Sequence, residues 1–253
     1  MCLIFLSLHN HPKYKLIIAA NRDEFYTRRT AAANYWSDHP EALGGRDLEA
    51  GGTWMGMTKK GRISLITNYR DPKNIDLEAP SRGQLVSDFL TGQEAPTIYL
   101  NRIAARGKSY NGFNLIVGNT EELWYFSNYR TGVEKISPGL HGLSNHLMET
   151  PWPKVQRGKE KMVKILRQQA IRPNDLLDLL YDDVTASDEL LPDTGVGLDR
   201  ERMLSSMFIK SPGYGTRCST VVMVDKSNHV IFTERVFDVT TFNYTTKEFE
   251  FTT

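Results

Sequence analysis

An α+β fold, with two antiparallel sheets packed together and helices covering their outer faces, is what this sequence of 253 residues predicts. Three observations lead there. Strands and helices come in blocks (strands, helices, strands, helices, strands), without the regular alternation that a doubly wound parallel sheet needs. The strand blocks are short apolar runs joined by tight turns, which implies antiparallel pairing. The helical segments place their apolar residues at helical spacing.

The elements follow in order. Residues 1–8 read as a buried strand, His9-Asn10-His11-Pro12 as a turn and residues 14–20 as a second strand, together a hairpin. Residues 26–52 read as loop-rich, with the pairs Gly44-Gly45 and Gly51-Gly52, the latter serving tight turns. Residues 53–58 and 62–67 form another hairpin, turned by Lys60-Gly61. Helices are expected over 83–90 and 96–106, then strands over 113–117 and 123–126 around Gly118-Asn119. Val155, Met162, Val163 and Leu166 mark a helix, Pro173 opens another, and a third runs over 199–208. Strands at 220–224 and 230–236 and an alternating tail through Phe249 and Phe251 end the chain. A single domain over residues 1–253 is expected.

Composition narrows the function classes. Apolar residues make up 40% and charged residues 24%, and the formal net charge is +1, which lacks the basic footprint of a nucleic-acid binder. No apolar run approaches the roughly 20 residues that cross a bilayer, and no Lys or Arg precedes the first run as a signal peptide would require. The two cysteines, Cys2 and Cys218, are expected as free thiols in a reducing cytoplasm. His9, His11, His141 and His146 lack metal-ligand spacing and no CxxC occurs, so no metal is expected.

The residues with chemical potential start at Cys2. Removal of Met1 would give one residue a thiol and a free α-amine. A free cysteine titrates at about 8.5 and an α-amine at about 7.7 to 8.0, so the amine can serve as base while the thiol attacks a carbonyl. A retained Met1 would block this. Taken alone, Cys2 reads rather as a buried strand residue. Asn21-Arg22-Asp23-Glu24 ends the second strand, beside Cys2 in the hairpin; Arg favours thiolate and Asp can orient the amine. Asn68 and Asn145 each follow a β-like segment, where an amide can donate to an oxyanion or simply form a turn. Arg217 is either a carboxylate receptor or a surface charge at a strand start. Gly51-Gly52-Thr53-Trp54 matches no phosphate loop; Trp54 is expected as a core or pocket wall.

Taken together and in order, Met1-Cys2-Leu3-Ile4, Asn21-Arg22-Asp23-Glu24, Gly51-Gly52-Thr53-Trp54, Thr67-Asn68-Tyr69-Arg70, Ser81-Arg82-Gly83, Gly112-Phe113-Asn114-Leu115, His141-Gly142-Leu143-Ser144-Asn145 and Tyr214-Gly215-Thr216-Arg217 closely resemble the NRDE family, also called the transport and Golgi organisation protein 2 family. The resemblance spans nearly the whole chain. It implies a four-layer αββα sandwich of the N-terminal-nucleophile hydrolase type, similar to choloylglycine hydrolases and penicillin V acylases. Carried over, Cys2 is nucleophile and base, Asp23 holds the amine, Arg22 tunes the thiol, Asn68 and Asn145 stabilise the oxyanion, and Arg217 matches a late arginine. Asn21, Glu24, Trp54, Tyr69, Arg70, His141, Trp152 and Tyr214 are candidate substrate contacts. One departure stands out: Arg22 and Asp23 are adjacent, and strand neighbours face opposite ways, so both serve one site only if the strand has ended or bulged there.

Two functions compete. One is a hydrolase of linear amide C–N bonds in a small acyl substrate, with no required cofactor. The other, which the family's connection with Golgi organisation, lipid metabolism and haem movement implies, is a non-catalytic carrier of an apolar ligand such as haem or lipid, held against Trp36, Trp54, Trp152 and Tyr214.

Overall fold

The computed structural model describes residues 2–253. Strands β1 (Cys2–Leu8), β2 (Tyr14–Phe25), β3 (Thr30–Tyr35), β4 (Ala42–Asp47), β5 (Met55–Thr58) and β6 (Ile63–Asn68) lead to helices α1 (Gly83–Thr91) and α2 (Pro96–Ala105). Then come β7 (Phe113–Gly118), β8 (Leu123–Ser127), β9 (Glu134–Lys135) and β10 (Gly139–Leu143), followed by α3 (Pro153–Leu166), α4 (Pro173–Leu180) and α5 (Leu198–Leu204). β11 (Lys210–Ser211), β12 (Tyr214–Asp225), β13 (His229–Phe237) and β14 (Tyr244–Thr252) close the chain.

The described residues form two seven-stranded sheets. One has the order β10-β1-β2-β12-β13-β14, with β11 on β12; the other runs in sequence from β3 to β9. Every pairing is antiparallel. β1 and β2 read as continuous apolar runs because both of their faces are buried. Ile4, Leu6, Leu16 and Ile18 pack between the sheets, while Leu3, Phe5, Ile17 and Ala19 face a helical layer with Val155, Leu176 and Leu180. On the other sheet, Leu115 and Val117 pack outward against Leu85, Phe89 and Leu100 of α1 and α2. The layers are therefore helix, sheet, sheet, helix, as expected. Helices α2, α3 and α4 each open on proline, where a missing N–H and a fixed φ do no harm.

Several boundaries differ from the sequence reading. Residues 26–52, read as loop-rich, hold two strands, β3 and β4. Gly44 and Gly45 lie inside β4, where side chains would collide with neighbours; a Cβ on Gly45 would stand 2.2 Å from the Trp54 ring. β2 continues past Ala20 to Phe25, so Asn21-Arg22-Asp23-Glu24 is strand. β12 begins at Tyr214, six residues before the apolar run that signalled it, because pairing with β2 extends it. α5 stops at Leu204, and β10, with two glycines in five residues, carried too little apolar signal to be read.

α3 approaches β1 closely at Gly158, where a Cβ would fall 1.9 Å from the ring of the fully buried Phe5. Gly158→Ala is expected to destabilise the fold by about 1–3 kcal/mol through overpacking, measurable as a lower urea midpoint at unchanged m-value.

Candidate functional site

The site forms where the first strand begins. β1 lies between β10 and β2, and its register sets Cys2 opposite Arg22. On the other side of β2, Asp23 pairs with Thr216 and Arg22 with Cys218, which leaves Arg217 as the extra residue of a β-bulge. Strand alternation turns Cys2 and Arg22 toward the space between the sheets, with Ile4 and Ala20, and turns Asn21 and Asp23 toward the helical side, with Leu3 and Ala19. The strand does not end at Arg22-Asp23, and the bulge sits in its neighbour. Even so, Cys2, Arg22 and Asp23 all line one cavity of about 310 Å³ at this end of the sheets.

Charges dominate that cavity. Arg22, Arg28 and Arg82 face Asp23, Glu24 and Asp47. Arg28 holds Asp47 through Nε and Nη2 at 2.9 and 2.6 Å. Arg22 lies 3.7 Å from Glu24 and stacks its guanidinium 4.2 Å from the centre of a Trp54 ring. Arg82 donates to the Gly112 carbonyl at 2.9 Å and has no carboxylate partner among the described residues. Burial pushes the Cys2 thiol above its ordinary value; Asp23 and Glu24 add to the push and Arg22 opposes it. Burial likewise raises Asp23, against the pull of Lys154 and of the Thr216 hydroxyl, which donates to Asp23 Oδ1 at 2.6 Å.

The candidates divide cleanly. Cys2, Arg22, Asp23, Glu24, Trp54 and Asn68 line the cavity. Asn145 is fully buried beside it; its Nδ2 donates to the Asn68 carbonyl at 3.0 Å and its own carbonyl accepts the Arg70 N–H at 2.7 Å. Arg217 points away, and its Nη1 donates to the carbonyls of Phe25, Tyr26 and Arg28, tying down the segment after β2. Asn21 braces the sheet against the helices, donating to the Leu180 and Met207 carbonyls and accepting from Ser219. Tyr69 stacks on Tyr129 at 3.8 Å, and His141 is held by Ser137 and Glu149. Arg70 pairs with Glu201 at 2.6 Å and stacks on Trp152 behind the cavity, and Tyr214 is half-buried near Asp23 with its ring against Phe25. Trp36 lies in the outer core with its Nε1 donating to Gly44, so the four aromatic residues expected to hold one apolar ligand do not share a pocket.

Sequence reasoning missed Arg28, Asp47, Arg82 and Lys154. Arg82 stood in a quoted motif without a role. Nothing in a single sequence distinguishes Lys154, 1% exposed, from a solvated helix lysine. Cys2 and Cys218 are free thiols, as expected. No group of His, Cys, Asp and Glu among the described residues could hold a metal, and no described helix is long and apolar enough to cross a membrane.

The fold is that of the N-terminal-nucleophile hydrolases. An N-acylethanolamine-hydrolyzing acid amidase ortholog from Caenorhabditis elegans superposes with a TM-score of 0.53 at 11% identity, covering 87% of this chain and 92% of its own. The C2A mutant of conjugated bile acid hydrolase from Clostridium perfringens gives 0.52 at 8% identity, covering 99% and 92%. Sequence similarity points elsewhere in name. The Homo sapiens Transport and Golgi organization protein 2 homolog is 38% identical over 275 aligned positions, covering 100% of this chain and 99% of its own. The Drosophila melanogaster Transport and Golgi organization protein 2 is 30% identical, covering 92% and 91%. The family model for Transport and Golgi organisation 2 matches residues 1–239, and the chain belongs to that family.

Proposed function

We propose that this chain is an amide hydrolase in which Cys2, once Met1 is removed, attacks the carbonyl of a linear C–N bond in a small polar acyl substrate. One observation carries the reading: Cys2 and Asp23 line a single substrate-sized cavity at the start of β1. Removal of Met1 itself lies outside the described residues. In the proposed cycle the thiol proton passes to the α-amine of residue 2 as sulfur bonds to the carbonyl carbon. Asp23 orients that amine, and Asn68 at the cavity wall donates to the oxyanion. Collapse returns the proton to the leaving amine, and water then cleaves the thioester with the α-amine as base. Burial disfavours the thiolate at Cys2, which is why the cycle needs that internal base.

The charged lining favours this reading over an apolar carrier. A lipid chain filling the cavity would strip water from Arg22, Arg82 and Glu24 without returning hydrogen bonds. It also moves a role. Arg82, with no carboxylate partner, is a better receptor for a substrate carboxylate than Arg217, which is committed to backbone.

Intact mass of the purified protein is expected to show loss of Met1. An electrophilic acyl probe should then add once, at Cys2 and not at buried Cys218, with the adduct gone in Cys2→Ala; retained Met1 and no adduct would sink the hydrolase reading. The labelling rate should rise with pH and level off once the α-amine is unprotonated, at about 8, below the range of an exposed cysteine. Arg82→Met should reduce any preference for N-acyl amino acids over neutral N-acyl amides by roughly tenfold or more, the worth of a charge-assisted hydrogen bond, while Arg217→Met leaves that preference intact and lowers thermal stability.

A further inference from the structure

Behind the cavity, on the helix-facing side of β1 and β2, stands a cation that the proposed cycle does not use. Lys154 lies in the first turn of α3, after Trp152 and Pro153, and is 1% exposed. Its Nζ has no hydrogen-bond partner among the described residues. Burying an ammonium is costly unless opposite charge lies near. Lys154 lines a chamber of about 10 Å³ with Arg70, Trp152, Glu201 and Ser205, which is room for one water and for no substrate. Lys154 therefore acts on the site through a neighbour.

Two carboxylates share its side of the site: Glu201 lines the same chamber, and strand alternation turns Asp23 toward the helical layer. Glu201, from α5, already accepts from Arg70 Nη1 at 2.6 Å and from the N–H and hydroxyl of Thr194 at 2.9 and 2.5 Å. Asp23, from β2, is the other, and Lys154 is the largest favourable influence on its charge, ahead of the Thr216 hydroxyl. The remaining groups around the pair are Cys2 on β1, Glu24 on β2, Tyr214 on β12, and Arg70 and Tyr26 in loops.

We propose that Lys154 is a positioning residue of the Cys2 site: a buried ammonium at the start of α3 that keeps Asp23 charged, so that Asp23 can hold the amine of residue 2. Burial pulls the Lys154 amine down to about 8, with Asp23, Cys2 and Glu201 favouring its proton and Arg70 opposing it. The support is thus full below that value and fades as pH rises through it.

The test reads Asp23 directly, and only its kinetic arm rests on the hydrolase reading. In full-length protein carrying carboxyl-13C aspartate, Asp23→Asn assigns the signal, and its titration is followed by NMR in wild type, Lys154→Arg and Lys154→Met. The Asp23 midpoint is expected to rise by about one pH unit or more in Lys154→Met and to stay near wild type in Lys154→Arg, as loss of a nearby opposite charge requires. Cys2 acylation should slow roughly tenfold in Lys154→Met, and the substitution should add nothing in an Asp23→Asn background. An unmoved Asp23 midpoint in folded Lys154→Met overturns the proposal. Should the methionine variant not fold, Lys154→Gln carries the same comparison. Absence of acylation in wild type would overturn the hydrolase reading alone, because the titration needs no turnover.

Discussion

The antiparallel register between β1 and β2 is the constraint on which the site depends. It pairs the first described residue of the chain with Arg22, at the start of a strand that lies inside a sheet between β10 and β2, where a chain start would ordinarily fray. Apolar residues cover both faces of these strands, so hydrophobicity alone would tolerate a slip of one residue. Polar contacts remove that freedom. Asn21 bonds to Leu180, Met207 and Ser219, and Asp23 accepts from Thr216, so a shifted β2 would leave four buried groups unpaired.

Charge balance shapes the cavity that this register creates. Arginines alternate with carboxylates around it, and each pairing fixes a wall: Arg28 to Asp47, Arg22 to Glu24 and Trp54. The bulge at Arg217 belongs to the same construction. By taking one residue out of the β2 pairing, it lets Thr216 reach Asp23 while Arg217 clamps the segment that carries Arg28. On the far side, Arg70 pairs with Glu201 beside the buried Lys154, a second, drier layer of charge under α3 and α5. A hydrolase-type fold thus surrounds residue 2 in a chain whose relatives carry a trafficking name.

Much of this was legible from residue patterns. The hairpin of β1 and β2, the proline-started helices and the alternating tail each carried a strong local signal. β3 and β4 did not, because alanine and glycine give strands no apolar alternation; close approach of neighbouring chains selects them instead. Among the site residues, Cys2, Arg22 and Asp23 were readable because sequence position and one hairpin bring them together. Arg217 and Asn145 were misleading, since side-chain type reports capacity to bind and not whether the backbone already uses it.

The sequence by itself determined the layered α+β architecture and the convergence of Cys2 with Arg22-Asp23-Glu24, which follow from local periodicity and one tight turn, and the family, which its ordered motifs resemble. Only the tertiary structure decided which charges share the cavity. Arg28, Asp47 and Arg82 arrive from the other sheet's strands and loops, and Lys154 from a helix 131 positions after Asp23. Such meetings depend on how whole sheets and helices pack, and burial is a property of that packing, not of the residue.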